Sequence, residues 1–95
     1  MKYVLITVRD DEVSSFEAAE KLLVYDVEEG RPVKSLGRPV TPDLLEDVVE
    51  EYDAWVLFTR GITRENREPV EEAGIKIVET RAGSVVDVVK EFFTW

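Results

Sequence analysis

A chain of 95 residues, 44% hydrophobic and 35% charged, has room for one hydrophobic core and is neither disordered nor membrane-spanning in composition. It carries no cysteine and no histidine, which removes disulfides, thiolate nucleophiles, zinc sites and imidazole acid–base catalysis together. A net charge of -9 works against neutralising nucleic-acid phosphates and against adhesion to anionic membranes.

The expectation is a single domain spanning residues 1–95, with no nucleic-acid or membrane partner. No apolar stretch approaches the ~20 residues that span a bilayer, and no basic start leads into a long apolar run, so a cytoplasmic location is expected. Abundant Glu, Arg and Val, with no Gln and a single Asn66, fit a thermophilic source. A metal held by this chain alone would need carboxylates, and so would be a hard ion.

In chain order, Lys2 to Val8 is β-branched and apolar and reads as a first, buried strand. Arg9-Asp10-Asp11-Glu12 reads as a charged loop, and Val13 to Ala19 as a short helical turn capped by Ser14 or Ser15. Lys21 to Val27 is a second strand. Glu28 to Arg31 is a hairpin turn in which Gly30 supplies positive φ. Pro32 to Leu36 is a third, short strand whose proline suits a sheet edge.

Thr41-Pro42-Asp43 is a helix start, with a Thr cap, Pro at the first position and an acid in the first turn. Leu44, Leu45, Val48, Val49 and Tyr52 then share one face, with Glu46, Asp47, Glu50 and Glu51 opposite. Ala54 to Thr59 is a continuous apolar run closing on Thr-Arg-Gly, the pattern of a parallel strand buried on both faces. Thr63 to Ala73 reads as a second helix. A mid-helix proline costs about 3 kcal/mol, so Pro69 predicts a kink or a start nearer Asn66. Gly74 stops that helix, Ile75 to Glu79 is a fifth strand, and Ser84 caps a last helix from Val85 to Thr94.

The order β-β-β-α-β-α-β-α predicts an α/β fold: a single-domain, five-stranded mixed sheet with helices on both faces. Strands one, four and five would be parallel and central, and strands two and three an antiparallel flank. In open α/β sheets ligands bind where parallel strands end. Arg9, Arg60 and Arg81 stand just past those three ends, three of only seven arginines in an acidic chain. Helices beginning at Thr63 and Ser84 would present free backbone N–H groups at the same edge, and Gly61 and Gly83 would let a ligand approach the backbone. Together they form a candidate small-anion site. The plainer alternative is that Asp10, Asp11, Glu12 and Glu79 pair with the arginines at the surface, for ~0–1 kcal/mol each.

Leu23 to Glu28 with Gly30 after it, Arg60-Gly61-Ile62, Glu71 to Ile77 and Ala82-Gly83-Ser84-Val85 give the chain its family likeness. In this ordered set it resembles the dinitrogenase iron–molybdenum cofactor biosynthesis domains, small proteins with a ribonuclease-H-like fold. The resemblance implies that fold and a non-catalytic carrier role toward an iron–molybdenum or iron–sulfur cluster precursor. Family members carry Ser-x-His-Phe-Gly-Arg before the second strand, and its histidine is a candidate cluster ligand. Here Phe16 matches the phenylalanine, Ser15 stands in the histidine's place, Glu17-Ala18 replace Gly-Arg, and Arg60-Gly61 replace a Gly-Gly. Such a cluster wants sulfur or imidazole ligands, and this chain supplies none beyond Met1.

Ribonuclease chemistry would need carboxylates on the first and fourth strands, and neither carries one. The serines have no histidine partner for nucleophilic catalysis, so no enzyme is expected. Asp10-Asp11-Glu12 reads as a solvated turn rather than a metal loop. The binding or carrier reading therefore competes with a second one, an interaction module. That module would meet a basic partner through the acidic helix faces, Glu46, Asp47, Glu50 and Glu51 with Glu68, Glu71 and Glu72. Phe92-Phe93-Thr94-Trp95 would either close the core or face a partner or a second copy, leaving monomer and homodimer both open.

Overall fold

Six β-branched, apolar and aromatic residues in succession, closed by Arg9, form β1 (Tyr3–Arg9) in the computed structural model, which describes residues 3–37, 39–81 and 83–93. The side chains of Phe92 and Phe93 lie outside the description. Along β1, Leu5 and Thr7 face one side and Val4, Ile6 and Val8 the other, and all are buried. A strand hidden on both faces must lie in the middle of a sheet covered by helices.

The sheet follows from that. β3 (Lys21–Asp26) pairs antiparallel with β1 from Tyr3↔Asp26 to Val8↔Lys21. β4 (Arg31–Leu36) pairs antiparallel with β3, and Gly30 at φ 71 closes the hairpin between them. β5 (Val56–Thr59) lies parallel to β1 with Leu5↔Leu57, and β6 (Lys76–Glu79) parallel to β5 with Leu57↔Ile77. The order is β4-β3-β1-β5-β6, and a sixth strand, β2 (Glu12–Val13), pairs with β1 off this path. β1 therefore holds the centre, and β6 is an edge strand, not a central one as its pattern predicts.

The expected helix α1 (Pro42–Tyr52) is present: Thr41 Oγ1 accepts from the Leu44 N–H at 3.2 Å. α2 (Arg64–Glu72) begins two residues before Asn66 and passes through Pro69. The ladder holds on either side, with Arg67 N–H on the Thr63 carbonyl (2.9 Å) and Ala73 N–H on Pro69 (3.2 Å), so the proline removes one bond without setting the start. Val70, buried beneath the helix, ties it to the sheet. Leu44, Leu45, Val48 and Val49 of α1 join Val70 over Leu5, Leu22, Val24 and Leu57 on one sheet face. Val88 of α3 (Val85–Phe93) packs with Val4, Ile6, Val8, Tyr25 and Phe58 on the other.

The structure is thus one α/β domain with a mixed sheet of six strands and three helices among the described residues, and helices cover both faces. The expected count of five strands fails at β2, and the predicted helical turn over Val13–Ala19 fails with it. Asp10 (φ 52) and Asp11 (φ 63) both adopt the left-handed conformation of a two-residue hairpin, which sends Glu12–Val13 straight back along β1. Only a short turn remains, at 16–18, with Ser15 Oγ accepting from Ala18 N–H (3.3 Å). Thr94 and Trp95, half of the aromatic tail, lie outside the described residues. No helix among the described residues is long and apolar enough to cross a membrane.

The weight of this core is testable. Leu57 is fully buried and Val86 is 55% exposed. Leu57→Ala should lower unfolding free energy by about 3 kcal/mol in urea titration, and Val86→Ala by less than about 0.5 kcal/mol.

Candidate functional site

The carboxyl ends of β1, β5 and β6 share one end of the sheet, and the chain between β2 and β3 is laced across it. Ser14 N–H donates to the Thr7 carbonyl at 2.9 Å, and the Ser14 carbonyl accepts from Arg60 N–H at 3.0 Å. The same carbonyl lies 2.7 Å from Thr7 Oγ1 and 3.0 Å from Thr59 Oγ1, and the two hydroxyls are 2.9 Å apart. Each hydroxyl has one proton, so they share acceptors among Ser14 O, each other and the Gly61 carbonyl, 3.1 Å from Thr59 Oγ1. Phe16, 2% exposed, sinks into the α1–α2 side of the core, and its N–H donates to Gly61 O at 2.8 Å.

Onto this frame the predicted site residues fall unevenly. Arg60 and Arg81 are exposed just past β5 and β6, and among the described residues neither guanidinium makes an ion pair. Arg9 lies 3.9 Å from Asp10 in an exposed pair. β2 stands between Arg9 and the Gly83–Ser84 segment: Arg9 pairs in register with Glu12, Glu12 bridges to Ser84, and Val13 N–H donates to Gly83 O (2.8 Å). The three arginines thus share an end of the sheet, but Arg9 is set apart by a strand carrying a carboxylate. A Cβ at Gly61 or Gly83 would meet nothing within 4 Å, so space beside both is open. Ser15 is half-buried, and its hydroxyl caps the 16–18 turn.

Thr63 has acquired a partner from within the chain. Glu17 Oε2 accepts from the Thr63 N–H (3.1 Å), the Thr63 hydroxyl (3.2 Å) and Asn66 Nδ2 (2.7 Å). A helix N-terminus favours negative charge, and at α2 the Glu17 carboxylate supplies it. Desolvation pushes the Glu17 carboxyl up, but the hydrogen bonds from Asn66, Thr63 and the backbone outweigh it and hold the pKa below the ordinary 4.5.

Sequence reading passed over Glu17 as a group that binds anything, and over Thr7. The signal for Thr7 was a lone hydroxyl inside an apolar strand. Glu17 left no local signal, because Thr63 is 46 residues away. Asp26 is also fully buried, its carboxylate accepting from Glu28 and Glu29 N–H groups (both 2.9 Å) to fix the β3–β4 turn.

With the Thr7, Thr59 and Thr63 hydroxyls engaged within the chain, the groups left at this end whose chemistry suits an anion are the exposed guanidinium groups and the open backbone beside Gly61 and Gly83. They do not fit direct coordination of an iron–sulfur or iron–molybdenum cluster, whose irons want thiolate or imidazole. No group of three or more metal-ligating side chains occurs among the described residues.

The sequence model of the dinitrogenase iron–molybdenum cofactor family matches residues 2–94. A NifB-like protein from Thermotoga assigned to the DUF35 family superposes with a TM-score of 0.73 at 23% identity, over 97% of this chain and 87% of that one. A dinitrogenase-like protein from Methanocaldococcus jannaschii gives 0.72 at 18%, over 97% and 88%. The apo form of the orange protein from Desulfovibrio gigas gives 0.72 at 17%, over 97% and 87%. At these identities the three structures establish the shared fold. No curated protein sequence matches the chain.

The Glu17 cap has a pH signature. A carboxyl whose folded pKa is lowered stabilises fully above its unfolded pKa and loses that contribution as pH falls through the folded value. Glu17→Gln should therefore lower the melting temperature at pH 7, and the gap to the parent should close on titration towards pH ~3. A gap that stays constant with pH would show that the carboxylate's charge plays no part.

Proposed function

The chain belongs to the dinitrogenase iron–molybdenum cofactor family, and on that premise we propose that it is a non-catalytic binding or carrier protein for a small anion or an anionic metallocofactor. The observation that carries this reading is the pair Arg60 and Arg81. In a chain of net charge -9, two exposed guanidinium groups without ion pairs among the described residues follow neighbouring parallel strands. The open space at Gly61 and Gly83 gives an anion access to backbone beside them. Ser15 lines the approach, and Arg9 contributes from across β2. Thr63 serves through Glu17, as an anchored wall and not as a donor. The ribonuclease-H-like topology implied by the family resemblance is supported by the order β4-β3-β1-β5-β6, an antiparallel flank joined to parallel strands.

The cargo is held, on this reading, by charge and hydrogen bonds from outside its metal shell. Ser15 where the resemblance implies histidine, and the absence of any cysteine, leave no thiolate or imidazole to bond a cluster's metal directly. A cluster precursor would be bound as an anion, with its own ligands facing Arg60 and Arg81.

A second reading has an observation of its own. Glu46, Asp47, Glu50, Glu51, Glu68, Glu71 and Glu72 are all exposed on α1 and α2, and neither helix has a basic residue in its last turn. Such a face suits a basic protein partner.

Thermal-shift titration with phosphate, citrate, molybdate and a nucleotide against chloride at equal ionic strength separates the two. The carrier reading expects at least one anion to raise the midpoint above the chloride control, and Arg60→Ala with Arg81→Ala to abolish the rise. No selective rise, together with a basic partner that co-purifies and is lost on reversing Glu46 and Glu50 to lysine, would favour the interaction module.

A further inference from the structure

A shallow pocket of about 160 Å³ lies where α1, the end of α2 and the approach to β5 meet, lined by Glu46, Val49, Glu50, Trp55 and Ala73. Its wall is an indole. Trp55 is 39% exposed, one of three large apolar side chains left so far out of the core among the described residues. The ends of two helices hold the ring in place. Its Nε1–H donates to Asp53 Oδ1 at 2.5 Å, and Asp53 closes α1 in the left-handed conformation. A Cβ at Gly74, just past α2, would stand 3.2 Å from Trp55 Cζ3, so the indole lies where that residue has no side chain.

The charge around the ring has one sign. Glu46 and Glu50 stand one turn apart on α1, and both line the pocket. Both are exposed, and neither makes an ion pair among the described residues. α1 has no basic residue in its last turn, so the negative end of its dipole adds to theirs. Lys76 is close along the chain, its N–H donating to the Trp55 carbonyl at 2.8 Å. It pairs in register with Val56 and so belongs to the α3 face, while Val49 and Ala73 belong to the α1–α2 face. No cation of the described chain therefore lines the pocket.

This combination selects its occupant. The volume is below the ~300–1,000 Å³ of small-molecule sites and suits a single side chain. A metal ion gains nothing from an indole, and no group of three or more metal-ligating side chains occurs among the described residues. A guanidinium group uses every part of the pocket. It stacks on the aromatic face, and its fork of donors reaches two carboxylates at once. It also relieves the repulsion between like charges one turn apart on a helix.

We propose that this pocket receives an arginine side chain of a basic protein partner, its guanidinium lying on the Trp55 indole and bonding to Glu46 and Glu50. The proposal deepens the interaction reading and rests on it, and it does not depend on Arg60 or Arg81. One exposed contact of this kind is weak alone, with a Kd on the order of millimolar, so its part is to fix where a larger basic surface docks.

A capped Gly-Arg-Gly peptide is the probe, read by NMR of the intact chain against its lysine and citrulline counterparts. Saturable shifts are expected at the Trp55 indole N–H and the Val49 methyls. Lysine should bind at least about twofold more weakly, and uncharged citrulline at least about threefold. Trp55→Leu should weaken the arginine peptide about two- to fivefold, read at Val49. Glu46→Gln with Glu50→Gln should weaken it about three- to tenfold without lowering the melting temperature, and Glu68→Gln should not weaken it. Equal binding of lysine or citrulline, or no effect of the paired glutamate change, would each overturn the proposal. Hexa-arginine tests the reading beneath it. Shifts confined to Glu68 to Glu72 would overturn the pocket and leave the acidic-face reading standing, while no shift at all would remove both.

Discussion

The strand ends of this protein are held together by a single carbonyl. Ser14 O collects the Arg60 N–H and the Thr7 and Thr59 hydroxyls within 3.0 Å, at a point where β1 and β5 have stopped pairing with each other. Parallel strands that diverge would expose the backbone groups between them, and buried polar groups left without partners cost about 1–3 kcal/mol each. The two threonines inside otherwise apolar strands answer that cost, since each hydroxyl hydrogen-bonds locally where a valine could not. No buried side-chain polar atom is left without a partner among the described residues. Everything at this end inherits its position from the lacing: Phe16 enters the core, Gly61 is fixed by two bonds to its carbonyl, and Glu17 is delivered to α2.

How much of this could be read in the sequence depended on range. α1 was legible to its ends, because Thr41, Pro42 and the Leu44–Val49 stripe are local signals that the packing merely confirms. The β3–β4 hairpin was legible from Gly30, and the parallel trio from its apolar runs. β2 was hidden because Asp10-Asp11 turns the chain without the glycine that usually marks a two-residue hairpin, and because two residues cannot show an alternation. Glu12 and Val13 become a strand by pairing with β1 and with Gly83–Ser84, and the latter partner is some 70 residues away. Burial hid the edge as well: Lys76–Glu79 has the apolar pattern of an interior strand but covers only one neighbour.

The same difference in range explains the site. Each arginine was placed at its strand end by local pattern, which the topology upholds. Their mutual arrangement was not local: it turned on a strand that inserts between Arg9 and Gly83, and on a glutamate that crosses from the loop to α2. Where the family resemblance implies Gly-Arg after the phenylalanine, this chain has Glu17-Ala18, and Glu17 changes the electrostatics of this end. It puts a carboxylate at a helix N-terminus that would otherwise attract an anion from solution.

That substitution concentrates the remaining positive charge. α1 ends just before β5 begins and α2 ends just before β6 begins, so both helix C-termini, with Glu50, Glu51, Glu71 and Glu72, lie at the entry end of the parallel strands. Neither has a basic residue in its last turn to offset its dipole. At the exit end Asp10 pairs with Arg9, Asp11 with Lys21, Glu17 with the start of α2 and Glu79 with Arg67, while Glu12 makes no ion pair among the described residues. Arg60 and Arg81 make no ion pair there among the described residues, and neither does Arg64 at the start of α2. A protein of net charge -9 repels anions on average, so any attraction at this end has to come from local groups such as these guanidinium groups.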